Sequence, residues 1–429
     1  MKKHFPVRRL LASFTIPLLF LSGFSPVSAG EEEILPPSAM IAQEMQNLPT
    51  GDFFQKELNA ELKILNSDES AAIHQAMDEY VAPETSLLIN KGRHFYYYEH
   101  LEPLPQQIYD LMYQIASDPL SPRNYALLLT ETDPKSEEFS YDFFRAQLAL
   151  TYDHPELFWL YNESEARVVF HSDLEKINGR YSVFLALAEP FGQCEEQMNE
   201  FNNAAQEFLA DIDLSRSEYD IALQIHDKLI DLVTYDMPVC DGGMNEVGNL
   251  GHTAYGALVK DSWGNANHCV CDGYSLAYEY LLQQCGIDAI VLSGMGGMSR
   301  LDMGGHAWSM VKIDDVWYET DSTWDDAGTA EAQLKTSRSD YGYFMEALKD
   351  PDYRNKIQHF LFLISSDQME HFVPEGDEYY YYLSDGTGYL SLVGECFHER
   401  FGAEGLIGLT DPYAGVVTLA PQAEYNYNL

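Results

Sequence analysis

The sequence predicts an α+β fold, with a mainly helical region ahead of a core of mixed helices and strands. Apolar residues spaced three and four positions apart predict amphipathic helices over 104–116 and 221–233. Runs of alternating or β-branched residues at 306–313 and 316–320 predict a hairpin that turns at 314–315. Helices followed by adjacent antiparallel strands are typical of the α+β class.

The length of the chain suggests more than one domain. Its 429 residues correspond to two or three domains at roughly 100–200 residues each. Within the helical region, runs at 166–171 and 180–188 flank Asn178-Gly179 and predict a second hairpin. The predicted parts are a signal peptide (1–29), a flexible leading segment (30–52), a mainly helical domain (53–213), a core domain (214–330) and a strand-rich C-terminal segment that completes or flanks the core (331–429).

The first 29 residues have the pattern of a cleavable signal peptide. Basic residues at 2–9 precede an apolar run at 10–24, and small residues follow at Val27-Ser28-Ala29. The apolar run is shorter than the ~20 residues that a membrane-spanning helix needs. We therefore expect a secreted protein with no membrane attachment once this segment is removed.

The charge of the chain narrows its expected partners. Asp and Glu number 68 against 25 Lys and Arg, which gives a formal net charge of −43 at pH 7. A field of that sign repels phosphate backbones and anionic lipid surfaces. Nucleic acid and membrane surfaces are therefore not expected partners, and the oligomeric state stays open.

Six cysteines in a chain of this length are too few for a disulfide scaffold. The predicted export nonetheless places them in an oxidising compartment, where some can pair. The sequence leaves the pairing open for Cys194, Cys240, Cys269, Cys285 and Cys396.

Cys271 lies at the start of a predicted helix, after a Gly-rich connection. Unpaired backbone N–H groups and the positive end of the helix dipole favour the thiolate there, and the thiolate is the reactive form. Position alone does not decide its role, because a cysteine in an exported protein is more often disulfide-bonded or buried.

His306 and Asp321 fall at the two ends of the predicted hairpin. If the turn has two residues, Trp308 faces Asp321, and His306 lies two residues further along on the same face. Such a diagonal pair is ~7 Å apart at the backbone, close enough for a carboxylate to hold an imidazole. A loop of odd length would put the two side chains on opposite faces.

Three segments carry a family resemblance. Val270-Cys271-Asp272-Gly273-Tyr274-Ser275, Gly305-His306-Ala307-Trp308 and the stretch from Trp317 to Asp326 resemble the nucleophile, histidine and aspartate motifs of the transglutaminase-like superfamily, in that order. The resemblance covers roughly 215–330, and residues 95–160 resemble more weakly the helical leader of exported bacterial members.

The resemblance implies a papain-like core in which the helix that bears the nucleophile packs on an antiparallel sheet. It implies Cys271 as nucleophile, His306 as general base and acid, and Asp321 as the residue that orients His306. Trp308, Tyr274 and His252 are the candidates for lining the site. No cofactor is expected, and the chain has no loop of the EF-hand type that would predict calcium.

The sequence departs from the family at residues 260–268, which lengthen the approach to the nucleophile and bring a second thiol, Cys269, close to Cys271. Cys269 is a candidate to pair with Cys240. A zinc site of His268, Cys269, Cys271 and Cys285 is the other alternative, but this spacing matches no standard zinc motif, and we predict no metal.

Three functions fit these residues. The first is an acyl transferase or hydrolase that acts on protein or peptide amides, possible cell-surface substrates included, through a thioester. The second is a cysteine peptidase or cell-wall peptide hydrolase on the same triad, and the third is a binding or adhesion module without turnover. The first two differ only in the acceptor that reaches the thioester. The Gly-rich stretch 294–305 is predicted to be a loop, and it is a candidate lid that controls which acceptor enters.

Overall fold

The computed structural model describes residues 95–117, 125–160, 168–177, 179–187, 194–240, 249–259, 267–301, 303–326, 347–373, 380–382, 389–391 and 395–400. The predicted signal peptide and leading segment lie outside these ranges. The described chain mixes helices with antiparallel strands, as expected for an α+β protein.

The α-helices, in chain order, are α1 (Tyr96–Glu99), α2 (Pro103–Ala116), α3 (Glu137–Asp153), α4 (Cys194–Leu209), α5 (Glu218–Leu232), α6 (Met237–Cys240), α7 (Ala254–Leu258), α8 (Cys271–Gln284), α9 (Ser322–Asp325), α10 (Pro351–Ile357) and α11 (Ser366–Glu370). The strands are β1 (Tyr125–Thr130), β2 (Val168–Ile177), β3 (Arg180–Leu187), β4 (Val233–Tyr235), β5 (Asn267–Cys269), β6 (Ala289–Gly297), β7 (Gly304–Ile313), β8 (Val316–Thr320), β9 (His371–Phe372), β10 (Tyr380–Tyr382), β11 (Tyr389–Ser391) and β12 (Cys396–Arg400).

The part before residue 190 contains a small antiparallel sheet besides its helices. Its strand order is β1-β3-β2. The hairpin predicted around Asn178-Gly179 is present as β2 and β3, and Gly179 has a φ of 84°, in the left-handed region that glycine enters without strain.

A five-stranded antiparallel sheet of order β8-β7-β6-β12-β9 forms the second part, and α8 packs on its central strands β6 and β7. Strand residues alternate between the two faces, as the pleat requires. Ala289 and Val291 join the core shared with α8, whereas Ile290 and Leu292 join a second core with Tyr353 of α10. Both faces of the sheet are therefore covered, which places its polar side chains in a buried setting.

Half of the Gly-rich stretch 294–305 is strand, which differs from the predicted loop. β6 continues to Gly297 and β7 begins at Gly304, so the connection between them is shorter than predicted. A Cβ at Gly294 would lie 2.2 Å from the carbonyl oxygen of Glu399 on β12. Gly294 therefore serves close packing of neighbouring strands, and the strand half of the segment is unavailable as a lid.

The β7–β8 hairpin has the predicted register. Ile313 pairs with Val316 and Val311 with Tyr318. The turn residues Asp314 and Asp315 both have positive φ, 50° and 66°, which matches the primed two-residue turns that suit the twist of a hairpin.

In the part of the chain that the structure describes, no helix has the length and apolar character needed to cross a bilayer.

Candidate functional site

Asp321 follows β8 and caps the N-terminus of α9. Its Oδ1 accepts hydrogen bonds from the backbone N–H groups of Thr323 (3.0 Å) and Trp324 (3.1 Å). An Asp at this position satisfies N–H groups that have no partner within the helix. The cap fixes the carboxylate and leaves Oδ2 for other partners.

His306 is one of the partners of Asp321 Oδ2. Its Nε2 lies 2.7 Å from Asp321 Oδ2, and the ring is buried. Trp324 stacks on the imidazole with ring centroids 5.0 Å apart, and a Cβ at Gly296 would lie 3.0 Å from the ring. These contacts fix the orientation of the imidazole ring. Nδ1 is the ring nitrogen that does not contact Asp321.

The electrostatics of Asp321 favour the carboxylate form. Burial by itself would raise its pKa, but the contacts with His306 and with a second histidine, His398, outweigh burial and hold the pKa well below its usual range. An ionised Asp321 requires Nε2 of His306 to donate, which sets the tautomer of the neutral ring.

Cys271 is the first residue of α8 and is partly exposed. Its sulfur is nonetheless packed among neighbouring atoms, and this burial, followed by the carboxylate of Asp272, raises the pKa of the Cys271 thiol. The backbone N–H of Ala307, the residue after His306, is close enough to lower that pKa, and the carboxylate of Asp321 is among the charges that raise it. The structure therefore brings the thiol to the strand that carries His306.

Cys269 lies in the interior instead. Cys269 is fully buried, and a Cβ added at Gly273 would lie 2.5 Å from the Cβ of Cys269. Burial raises the pKa of its thiol well above the usual range. Cys269 forms no disulfide with the candidate partner Cys240 in the structure, and Cys269, Cys271 and Cys285 are free thiols.

Two of the candidate lining residues are buried and have a structural role. The Tyr274 hydroxyl donates to Asp326 Oδ2 at 2.7 Å, and His252 Nδ1 lies 2.7 Å from Asp272 Oδ2. Tyr274 therefore ties α8 to the end of the aspartate motif.

The third candidate, Trp308, lies on the face of the sheet that is turned away from α8. Its Nε1 donates to Glu319 Oε2 at 2.6 Å. It borders a pocket of about 390 Å³ together with His398, Glu319 and Arg400, and Arg400 forms an ion pair with Glu319.

His398 is a site residue that the sequence patterns did not reveal. It lies on β12, and its Nε2 is 3.0 Å from Asp321 Oδ2, on the oxygen that His306 also contacts. The residue is 77 positions after Asp321 in the chain and belongs to no local motif, so no pattern in the sequence pointed to it. We call His306, Asp321 and His398 the Asp321 cluster.

A second cluster, which we call the Asp325 cluster, consists of His226, Asp227, Asp325 and His359. His226 Nδ1 lies 3.1 Å from Asp227 Oδ1, and its Nε2 lies 3.2 Å from Asp325 Oδ2. His359 Nε2 lies 2.6 Å from the same oxygen of Asp227. This chain of pairs joins α5, the end of α9 and the segment after α10.

Two groups among the described residues have the composition and closeness to hold a metal ion: His306 with Asp321 and His398, and His226 with Asp227 and His359. Neither group contains a cysteine. Their direct N···O separations of 2.6–3.1 Å are hydrogen-bond lengths, which the protons of the imidazoles already account for.

No protein-family model matches the chain, and no curated protein matches it. A similarity was found to a solved structure described as "Crystal structure of a TGase", at 16% sequence identity and a TM-score of 0.26. The match covers 37% of this chain and 45% of that one, so less than half of the other protein is represented. A similarity this slight carries no argument about function.

Proposed function

We propose that this protein is a cysteine-dependent enzyme that transfers or hydrolyses acyl groups of protein or peptide amides, on a core of the transglutaminase-like, papain-related type. One observation carries the proposal: the thiol of Cys271, at the start of α8, lies close to the backbone N–H of Ala307, the neighbour of a histidine whose Nε2 is 2.7 Å from Asp321 Oδ2. A thiol, an imidazole and a carboxylate in this order are what covalent acyl transfer requires.

In the proposed first step, His306 takes the proton of Cys271 at Nδ1 and becomes an imidazolium. Asp321 stabilises that cation through Oδ2, since it already accepts from Nε2. The thiolate attacks the amide carbonyl, the C–N bond breaks, and His306 returns the proton to the departing ammonia or amine. The product of the step is a thioester on Cys271.

Burial of Cys271 favours the neutral thiol, so the proton transfer needs assistance. The positive end of the α8 dipole and the Ala307 N–H both stabilise negative charge on the sulfur. The backbone N–H of Cys271 belongs to the first turn of α8, and it is the proposed donor to the oxyanion that forms during attack.

In the second step, His306 takes a proton from the acceptor, which attacks the thioester carbonyl. The C–S bond breaks, and Cys271 leaves as the thiolate. An amine gives a new amide, whereas water gives a free acid. We propose protein or peptide substrates outside the cell, because residues 1–29 have the pattern of an export signal.

The test combines the purified protein with a glutamine-containing protein and a labelled primary amine. We expect amine incorporation that Cys271→Ala abolishes and Cys269→Ala leaves largely intact, because Cys269 is fully buried. Fragmentation of the protein substrate without incorporation indicates a peptidase on the same residues. Labelling that persists in Cys271→Ala, or is lost only in Cys269→Ala, contradicts the proposal.

A further inference from the structure

His398 reaches the site from the C-terminal part of the chain. On β6, Gly294 pairs with His306 of β7 and Gly296 pairs with His398 of β12. Positions 294 and 296 point to the same face of a pleated strand, and both are glycines. Two imidazoles therefore approach each other over a strip of backbone without side chains, with ring centroids 5.5 Å apart.

Both nitrogens of His398 face acceptors. Nε2 lies 3.0 Å from Asp321 Oδ2, and Nδ1 lies 3.1 Å from the carbonyl oxygen of Met369. The ring is buried between the indoles of Trp308 and Trp324, at centroid distances of 5.0 and 4.5 Å. His398 therefore contacts the candidate triad through Asp321.

Asp321 and His306 face His398 directly. Six further charged residues line the pocket beside it, and two of them, Glu319 and Arg400, pair with each other; the other four are Arg300, Asp367, Glu370 and Glu399. Burial lowers the pKa of His398, and the contact with Asp321 opposes that effect.

We propose that His398 is a positioning residue for the Asp321–His306 pair. With Oδ1 held by two backbone N–H groups, an N–H from His398 on Oδ2 completes the restraint on the carboxylate and prevents its rotation away from His306. The second donor also takes a share of the negative charge on Oδ2. This inference rests on the proposed function.

The test compares His398→Phe, which keeps a ring between the two indoles but has no donor, with His398→Gln, whose amide N–H can reach the carboxylate. His371→Gln is the control, because His371 is an exposed histidine on the adjacent strand β9. The readout is acylation of Cys271 by p-nitrophenyl acetate, followed by release of p-nitrophenolate across the pH range. The background is measured with Cys271→Ser.

We expect His398→Phe to slow acylation by about tenfold to a hundredfold, since small misplacements of catalytic groups cost that much. His398→Gln should recover most of the rate, and His371→Gln should equal the parent protein. A purely structural role for His398 would lower stability in both variants, and the glutamine would then give no rescue of the rate per folded molecule.

Parent-like acylation by His398→Phe overturns the inference, as does a His398→Gln variant that is as slow as His398→Phe. If the Phe variant does not fold, ¹⁵N NMR of the parent protein decides, because the inference requires a proton on Nε2 of His398 at neutral pH. Equal reaction of Cys271→Ser and the parent protein instead contradicts the proposed function itself.

Discussion

The Asp321 and Asp325 clusters lie at opposite ends of the same short helix, α9, and look alike in composition. Each contains two histidines and a fully buried aspartate. They differ in what the central imidazole faces. His306 gives one nitrogen to a carboxylate, whereas His226 has a carboxylate at each nitrogen, Asp227 and Asp325.

In the proposed mechanism, that difference separates an imidazole that can act as a base from one with a structural role. An imidazole between two carboxylates has no nitrogen left to take a proton from a nucleophile, and its pKa is raised to about 9, because the two carboxylates outweigh the effect of burial. His226 packs against Phe362 and Tyr278. A buried His–Asp pair therefore indicates catalysis only where the second ring nitrogen is directed at a reactive group.

The largest expected effect distinguishes the two aspartates. Asp321→Asn should lower kcat by about 10³- to 10⁴-fold. The two backbone N–H groups that bind Oδ1 hold the amide oxygen on their side, so the amide NH2 faces His306 and does not hold the imidazole in the required tautomer. Asp325→Asn should change kcat less than about tenfold, since its partner His226 packs against Tyr278 and Phe362 and has no part in the proposed proton transfer. Steady-state amine incorporation measures both variants, and equal losses would show that the comparison is wrong.

The second prediction concerns stability. His226→Leu removes the cationic partner of Asp325 and leaves a fully buried carboxylate without it. Loss of one member of a buried pair costs about 3–5 kcal/mol in the free energy of unfolding. Urea unfolding measures this cost, and the rate per folded molecule should stay close to that of the parent protein.

The pH dependence of stability offers a third test. The folded-state pKa of His226, about 9, lies above its ordinary value of 6.5. Its contribution to stability is therefore fully present below about pH 6.5 and is lost as the pH rises through about 9. Thermal melts between pH 6 and 10 should show this decline in the parent protein and a flatter profile in His226→Gln. An unchanged decline in the variant would assign it to other groups.

The smallest expected effect comes from the glycine under the Asp321 cluster. Gly296→Ala places a Cβ about 3.0 Å from the His306 ring and should shift it, which lowers kcat by about tenfold. Gly179→Ala is the control, because its positive φ strains the folded state by about 1 kcal/mol while nothing lies within 4 Å of the new Cβ. We expect that control to lose stability and keep its rate.

Local patterns predicted a large part of this architecture. The two-residue turn at Asp314-Asp315 determines the β7–β8 register, because every residue pair follows from the length of the turn. The helix that begins at Cys271 was likewise predictable from its periodicity and from the stop at Gly286, which has a φ of 81°.

The Gly-rich segment shows where local reading failed. Glycine has low strand propensity, so 294–297 reads as a loop, but a Cβ at Gly294 would lie 2.2 Å from Glu399 of β12 and one at Gly296 would lie 3.0 Å from the His306 ring of β7. Tertiary packing overrides propensity at such positions.

The sequence by itself determined the order and spacing of Cys271, His306 and Asp321, since a helix start and a hairpin are local structures. Only the tertiary structure decided that His398 shares the carboxylate of Asp321, that His359 joins His226 through Asp227, and that Cys269 is buried while Cys271 remains partly exposed. These contacts join residues far apart in the chain. They depend on which strands and helices pack together, and no local periodicity encodes that choice.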